Sequence, residues 1–413
     1  MKSGRRDLMR KRTFSSSKFG LTLMGLGAAW GLLTGFSFLT ALPFLAQVMG
    51  LVATGFVVSY LEPRVMLASL TSKPSVLIGF HVLAASVSSI LSQAEFISFA
   101  RYAGLLPALV TMVTLAISGV DSVRKLRIGL TFSGLLFVGY HLFFADFQAL
   151  IDPFYRISFF LNPNGVAFIA SMTCMSLADV YFERRGHFYR ISVLVACIAC
   201  LLLCFLTRSR MALLALAAGL FVLTLYRASK MKTILVALLG LVMLLLALPK
   251  GTISNWGVTF SEVYQIDDPH RGIAMATGRT EVWQIALKEI WLPNFFFGVG
   301  PGEHSTLTRV MAGSSSAHNG LLLNLCEVGF LGTLPLLVIL AICVRNAIRN
   351  RHDVTYCFAS SFLASGCVES IGETMFFSIG NPGSLLFLLA VATLICGAHP
   401  GSSTCKTCAH LAN

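Results

Sequence analysis

The chain has 413 residues, of which 56% are hydrophobic and only 12% are charged, and its mean hydropathy is +0.78. Apolar segments of about 17–25 residues, the length that crosses a bilayer as a helix, recur along it. This composition excludes a soluble globular protein, and the weak alternation typical of a membrane barrel is not visible. The net charge of +13 does not indicate nucleic-acid binding, because lysine and arginine accumulate in the cytoplasmic loops of membrane proteins.

The pattern of apolar runs predicts an all-α polytopic membrane protein with about twelve transmembrane helices. The basic N-terminus precedes an apolar stretch too long for a signal peptide, so we interpret it as cytoplasmic and followed by an uncleaved first helix. The predicted spans are 20–39, 43–60, 75–93, 103–119, 129–146, 165–181, 191–206, 211–226, 231–248, 319–344, 354–372 and 382–398.

The distribution of charge fixes the orientation of these spans. With the N-terminus inside, most of the 31 basic residues fall in segments predicted to be cytoplasmic. The predicted organisation is a cytoplasmic N-terminus (1–19), nine helices (20–248), a large outer loop (249–318), three helices (319–398) and a cytoplasmic tail (399–413).

The loop 249–318 is too long to be a simple connector. Within it, residues 278–293 place Trp283, Leu287, Ile290 and Trp291 at helical spacing. We expect either an amphipathic helix in the membrane interface, with its tryptophans at headgroup level, or a helix packed on the loop's own core.

Two arginines, Arg208 and Arg210, lie between two apolar runs in the sequence TRSR. The predicted topology puts them on the outer face, where few basic residues are expected. Arg210 also falls in the first turn of a helix, where a cation opposes the helix dipole. Either the pair anchors the protein at the interface or it binds an anion, and the guanidinium fork suits phosphate.

The segment GVGPGEHSTLTRVMAGSSSAHNGLLLNLCEVG begins with Gly298, Gly300 and Gly302. A dinucleotide-binding fingerprint needs a preceding strand and a βαβ unit, and this loop has neither. We interpret the glycines as a flexible turn that lets the chain approach a ligand closely.

Ionisable residues follow in and after this segment. His318 can take a proton from a hydroxyl near neutral pH, although it can also simply precede Asn319, a helix-capping residue. Glu327 lies deeper on the same predicted helix and is a functional candidate by its depth, or a partner of a basic residue. Glu369 and Glu373 are weaker candidates of the same kind.

The outer face thus combines three arginines, Arg208, Arg210 and Arg279, with His318 in a loop large enough to form a lid. No cluster of acids of the kind that holds a divalent metal is visible. Most cysteines lie in apolar runs, and the tail pair Cys405 and Cys408 lacks the further ligands of a zinc site. A metal-free transfer with a lipid pyrophosphate as leaving group fits these residues.

The order T-R-S-R, G-R-x-x-x-W, G-x-G, H-N and E-x-G-x-x-G over roughly 200–385 resembles the bacterial O-antigen ligase and O-antigen polymerase family, including exopolysaccharide polymerases. The resemblance implies a fold like that of C-type glycosyltransferases, a periplasmic large loop, the bacterial inner membrane and no cofactor. It implies undecaprenyl-pyrophosphate-linked oligosaccharide as donor, and lipid A core or a growing polysaccharide as acceptor. By position, Arg210 and Arg279, supported by Arg208, would hold the pyrophosphate, and His318 would activate the acceptor hydroxyl. Many relatives read H-P-N where this chain has Asn162-Pro163-Asn164.

Ligases and polymerases share these motifs, and no residue decides between them. Asn319, Glu327, Trp283, Gly298 and Gly300 are candidate supporting residues. A transporter or flippase of polysaccharide precursors is the alternative function, although it would favour substrate groups at the bilayer midplane and paired repeats. A noncatalytic membrane scaffold would not need the arginines and the histidine.

Overall fold

The described part of the chain is a bundle of helices. The structure, a computed structural model, describes residues 17–40, 50–53, 55, 67, 69–92, 99, 102–144, 163–181, 187–207, 209–226, 279–313, 317–351, 353–374 and 381–396. The helices are α1 (Ser17–Thr40), α2 (Lys73–Ser92), α3 (Leu105–Ser118), α4 (Val120–Phe143), α5 (Pro163–Tyr181), α6 (His187–Leu206), α7 (Arg210–Tyr226), α8 (Arg279–Ile285), α9 (Glu303–Ala312), α10 (Gly320–Arg349), α11 (Val354–Gly372) and α12 (Pro382–Cys396). Within these described ranges there is no strand.

Most predicted spans coincide with helices. Helices α2, α4, α6 and α10 are long and apolar enough to cross a bilayer, and Leu21–Gly35, α3, α7 and α12 are shorter apolar helices. Ten of the twelve predicted spans lie on described helices, whereas 43–60 lies largely and 231–248 wholly outside the described residues. The described residues are therefore consistent with an all-helical membrane fold, and the number of spans and their orientation stay predictions.

The helix boundaries differ most at α4, which begins at Val120 rather than at the predicted residue 129. Gly119, with φ 125°, ends α3 and leads directly into α4. The charged residues Asp121 and Lys125 form an i,i+4 pair in the first turns of this helix. Hydropathy marks where a helix enters lipid, but not where it begins.

Helices α5 and α12 form the centre of the bundle. Every residue from Pro382 to Leu394 in α12 is buried, as is every residue from Gly165 to Val180 in α5. A helix that is apolar all round is expected to be buried on all sides, and α12 packs against α3, α4, α5, α10 and α11. The buried cysteines of these helices are free thiols that pack as small hydrophobes.

Glycines bring α1 and α4 into close contact. A Cβ added at Gly129 would lie 2.1 Å from the Met24 carbonyl oxygen, and one added at Gly27 would lie 2.5 Å from the Leu126 carbonyl oxygen. Both distances are far below van der Waals contact, so only glycine permits this crossing. Small residues at helix crossings are the usual means of tight packing in membranes.

A buried ion pair joins α4 to α5. Arg127 donates a hydrogen bond to Asp179, both side chains are 3% exposed, and the guanidinium lies 4.7 Å from the centre of the Phe358 ring. We expect Arg127→Met to destabilise the protein by about 3–5 kcal/mol, because it leaves a buried carboxylate without its cation. Thermal unfolding of the purified protein in detergent measures this loss.

The matched control is Lys125→Met on the same helix. Lys125 pairs with Asp121, whose side chain is 69% exposed, so the loss should be at most about 1 kcal/mol. Equal shifts of the unfolding temperature in the two variants would contradict a special role for the buried pair.

Candidate functional site

The structure brings three distant segments together at the end of α11. Arg279 is the first residue of α8, His318 precedes α10, and Glu373 directly follows α11. The backbone N–H of Glu373 donates to the Glu369 carbonyl at 2.9 Å, so the chain still follows the helical path where this carboxyl group emerges. The three side chains form one polar cluster, which we call the Glu373 cluster.

The carboxylate of Glu373 is the centre of this cluster. Its Oε1 accepts hydrogen bonds from Arg279 Nη2 at 3.0 Å and from Asn164 Nδ2 at 2.5 Å, while its Oε2 lies 3.4 Å from His318 Nδ1. The Glu373 side chain is only 1% exposed, and that of His318 is 31% exposed. A buried carboxylate thus faces a guanidinium and an imidazole that reach the surface.

Arg279 is held in one orientation. Its Nη1 donates to the Gly372 carbonyl at 2.6 Å, in addition to the bond from Nη2 to Glu373. A guanidinium has five N–H donors, so these two contacts leave three for another anion as far as the described residues show. Gly372 is required here, because an added Cβ would lie 3.0 Å from Nη1 and 2.4 Å from Met211 Cγ.

His318 has an unusual backbone. Its φ of 46° makes it the only non-glycine residue with positive φ among those described. A side-chain-bearing residue in this region is strained, and such strain is frequent at functional sites. The neighbouring Asn319 caps α10, since its Oδ1 accepts from the Leu322 N–H at 2.9 Å, and its Nδ2 donates to Ile371 O at 3.3 Å. The capping role expected for Asn319 is confirmed.

The start of α7 lies beside this cluster. Ser209 caps the helix by accepting from the Ala212 N–H at 3.4 Å, and Arg210 is its first residue, half-buried. Met211, the next residue, is the side chain that approaches Gly372. Arg210 is therefore one residue away from a direct contact with the end of α11, whereas Arg208 lies outside the described residues.

The three loop glycines lie beside α10, and their expected role in approaching a ligand stays a prediction. Gly298, Gly300 and Gly302 all have positive φ, and a Cβ added at Gly298 would lie 2.5 Å from the Cys326 carbonyl oxygen. The close approach at Gly298 is therefore to the backbone of α10. The loop runs beside the helix, with Val299 N–H donating to Cys326 O at 2.8 Å and Gly300 N–H donating to Glu327 O at 3.0 Å.

This contact is made possible by a break in α10. Gly329 has φ 65° and ψ −169°, which interrupts the helix and exposes its backbone groups. The N–H of Phe330 donates to Phe295 O at 2.8 Å and that of Leu331 to Phe296 O at 3.2 Å. The loop thus satisfies the backbone groups that the break exposes, as buried polar groups require.

Glu327 lies in a second cluster, apart from Glu373. Its Oε2 accepts from the Tyr102 hydroxyl, its Oε1 accepts from the Gly302 N–H at 3.0 Å, and His304 Nδ1 lies 3.9 Å from Oε1. Its backbone carbonyl accepts from the Ser88 hydroxyl at 2.7 Å. Glu327 thus connects α2, the loop and α9.

The helix predicted over 278–293 is present in the described residues, but it is not uniform. It runs as α8, then as a π-helical turn (Ala286–Trp291), then as a 3₁₀ turn (Leu292–Asn294). Ala286 and Ile290 pack with Leu322 and Cys326 of α10, and Trp283 donates from Nε1 to the Ala317 carbonyl at 2.6 Å. This face packs on α10 as well as on the loop residue Ala317, and not on a core of the loop alone, whereas Leu287 points outward, 37% exposed.

Comparison with known proteins finds a family model that matches the part of the chain with most of these elements. Residues 195–337 match the sequence model of the family described as O-antigen ligase. Over this segment the chain is similar to O-antigen ligases. The resemblance inferred over 200–385 is thus confirmed over this matched segment, and it supports a family-level role in polysaccharide biosynthesis. No curated protein matches the chain.

The matched segment contains Arg210, Arg279 and His318, whereas Glu373 and its hydrogen-bond partner Asn164 lie outside it. Glu373 follows its end, and Asn164 precedes its start. From the sequence alone, Glu373 is one of the weaker candidates, and Asn164 stands out only as part of the segment that replaces H-P-N. The available signal for Glu373 was an ionisable residue in an apolar context on the outer side.

Glu369, one turn earlier on α11, is fully buried, and neither of its carboxyl oxygens has a hydrogen-bond partner among the described residues. No group of three or more histidine, cysteine, aspartate or glutamate residues in the described ranges could hold a metal ion.

Proposed function

We propose that this protein is a bacterial inner-membrane glycosyltransferase that transfers or polymerises oligosaccharide from undecaprenyl-pyrophosphate donors. It acts in surface polysaccharide biosynthesis, of O-antigen or exopolysaccharide, with lipid A core or a growing polysaccharide as acceptor. The observation that carries the proposal is the Glu373 cluster, in which Arg279 and His318, both in the segment similar to O-antigen ligases, meet around one buried carboxylate.

His318 is the general base of the proposed reaction. Glu373 contacts Nδ1 of the imidazole, so the ring is oriented by one nitrogen and can take a proton at the other, Nε2. A base that is itself oriented by a carboxylate is a recurrent arrangement for activating a hydroxyl group. The exposure of His318 allows a bulky sugar acceptor to reach it.

Arg279 binds the pyrophosphate of the donor. Glu373 and the Gly372 carbonyl fix the plane of its guanidinium, which leaves its remaining N–H donors for phosphate oxygens. Arg210, the first residue of α7, supplies further positive charge beside the end of α11, and Arg208 is proposed to support it by its place in the sequence. These cations stabilise the negative charge that develops on the leaving group, so the step needs no metal ion.

The transfer proceeds in one displacement with inversion. The acceptor oxygen attacks the anomeric carbon, the bond from that carbon to the pyrophosphate oxygen breaks, and its electron pair stays with the pyrophosphate. The acceptor proton passes to His318. The basic inner loops favour a topology with cytoplasmic termini and the Glu373 cluster on the periplasmic face.

The test compares a strain that lacks the gene with the same strain carrying it. Without the gene, lipid-linked oligosaccharide should accumulate at the periplasmic face, and the gene should restore long polysaccharide even when isolated membranes are assayed in a metal chelator. Single repeat units in the deletion strain identify a polymerase, whereas long chains that stay on the lipid carrier identify a ligase. Accumulation at the cytoplasmic face would contradict the proposal and support a transporter.

A further inference from the structure

The residue that precedes His318, Ala317, is held from both sides through its backbone. The carbonyl of Ala317 accepts from Trp283 Nε1 at 2.6 Å, and the N–H of Ala317 donates to His304 Nε2 at 3.2 Å. Ala317 is fully buried. The residue next to the proposed base therefore has both its backbone polar groups bonded to side chains of α8 and α9.

The ring of His304 is itself oriented. Its side chain is fully buried, and because Nε2 accepts a hydrogen bond, the neutral ring carries its proton on Nδ1. That nitrogen faces Glu327 Oε1 at 3.9 Å, longer than a hydrogen bond but close enough to favour this tautomer. Glu327 is in turn fixed by the Gly302 N–H and the Tyr102 hydroxyl.

These contacts explain how His318 keeps its strained backbone. A φ of 46° at a residue with a side chain persists only where the surroundings hold it. On one side Asn319 is fixed as the cap of α10, and on the other Ala317 is fixed by Trp283 and His304. The imidazole is thereby directed toward Glu373.

We propose that Trp283 and His304 are positioning residues that orient His318 through the backbone C=O and N–H of Ala317. The inference rests on the proposed function, since it takes His318 as the base of the transfer. Neither side chain needs to touch substrate, because each acts on His318 through the backbone. Small displacements of a reacting group are costly, so loosening this backbone should lower turnover more than it lowers donor affinity.

Trp291 shows that a tryptophan can pack in this segment without a hydrogen bond from its indole N–H. It lies two turns after Trp283 in the same segment and packs on the same apolar cluster, yet its indole N–H is buried with no hydrogen-bond partner among the described residues. Replacing each tryptophan with phenylalanine removes one N–H and keeps the ring. Only Trp283→Phe removes a bond to the peptide before His318.

The experiment measures two properties of the purified full-length protein in lipid nanodiscs. One is the rate at which diethyl pyrocarbonate modifies His318 without substrate, followed by mass spectrometry. The other is kcat and KM with a lipid-pyrophosphate oligosaccharide donor. The variants are Trp283→Phe, His304→Leu and His304→Gln, with Trp291→Phe as control. Glutamine can accept from the Ala317 N–H and donate toward Glu327, so it should rescue what leucine loses.

We expect Trp283→Phe and His304→Leu to change the modification rate of His318 and to lower kcat by about 10-fold to 10²-fold, with KM nearly unchanged. Trp291→Phe and His304→Gln should resemble the wild type in both measurements. The inference would be overturned if His318 were modified in Trp283→Phe at the same rate as in the wild type. It would also be overturned if the modification rate changed while kcat did not. If the variants show the expected modification rates but the wild-type protein transfers no sugar, the result contradicts the proposed function and supports the orienting contacts.

Discussion

Replacing His318 with alanine should lower sugar transfer by about 10²- to 10⁴-fold, the usual contribution of a positioned general base. The physical reason is that the acceptor hydroxyl is a poor nucleophile until a base takes its proton. The imidazole of His318 is the exposed titratable group of the Glu373 cluster, and its Nδ1 is already engaged by Glu373. The measurement is the initial rate of transfer from a lipid-pyrophosphate oligosaccharide in membranes, at equal amounts of folded protein.

The matched control is His187→Ala. His187 is an exposed histidine at the first turn of α6, and the predicted topology puts it on the cytoplasmic face. Its loss should leave the rate unchanged. If His318→Ala keeps most of the activity while the chain stays in the membrane, His318 is not the base, and the transporter alternative gains support.

The helices could be predicted from the sequence because a bilayer imposes a simple rule on a chain. Each helix must present about 20 apolar residues, so runs such as 319–344 are visible in one dimension. The same rule does not predict the break at Gly329, because the apolar run continues through that position. That break depends on backbone groups of Phe295 and Phe296, more than 30 residues away in the sequence. A single residue's φ and ψ are decided by such tertiary contacts.

The residues of the site differ in the same way, since some could be predicted from the sequence and others depend on tertiary contacts. His318 and Arg279 could be proposed from residue type and predicted side of the membrane, together with the order of the family motifs. Asn164 could not, because an amide beside a proline has no chemistry of its own until it meets a carboxylate 209 residues later. The sequence predicts that the loop glycines permit a close approach, but only the structure shows that Gly298 approaches the backbone of α10.

Glu373 is the member of the site whose role follows from the structure rather than from the sequence. Its replacement should lower turnover nearly as much as the replacement of His318. We expect Glu373→Gln to lower turnover by about 10²-fold or more, because it weakens two contributions to the rate together. Glutamine keeps the size of the side chain but removes the charge that faces the guanidinium of Arg279 and the imidazole of His318. Glu303→Gln, a partly exposed acid in the first turn of α9, is the matched control and should have no effect.

A double-mutant cycle decides whether Glu373 acts through its partners or only supports the fold. Arg279→Lys keeps a positive charge but loses the planar fork that contacts both Glu373 and Gly372, so it should raise the KM for the donor as well as lower kcat. If the two residues act as one unit, the double variant should be much less impaired than the product of the single effects, as is usual for residues in direct contact. Independent effects that multiply, with unfolding temperatures lowered in both single variants, would instead assign Glu373 to stability. The first result would make the buried carboxylate the element that joins the base to the pyrophosphate-binding arginine, so that proton transfer and leaving-group stabilisation are set by the same side chain.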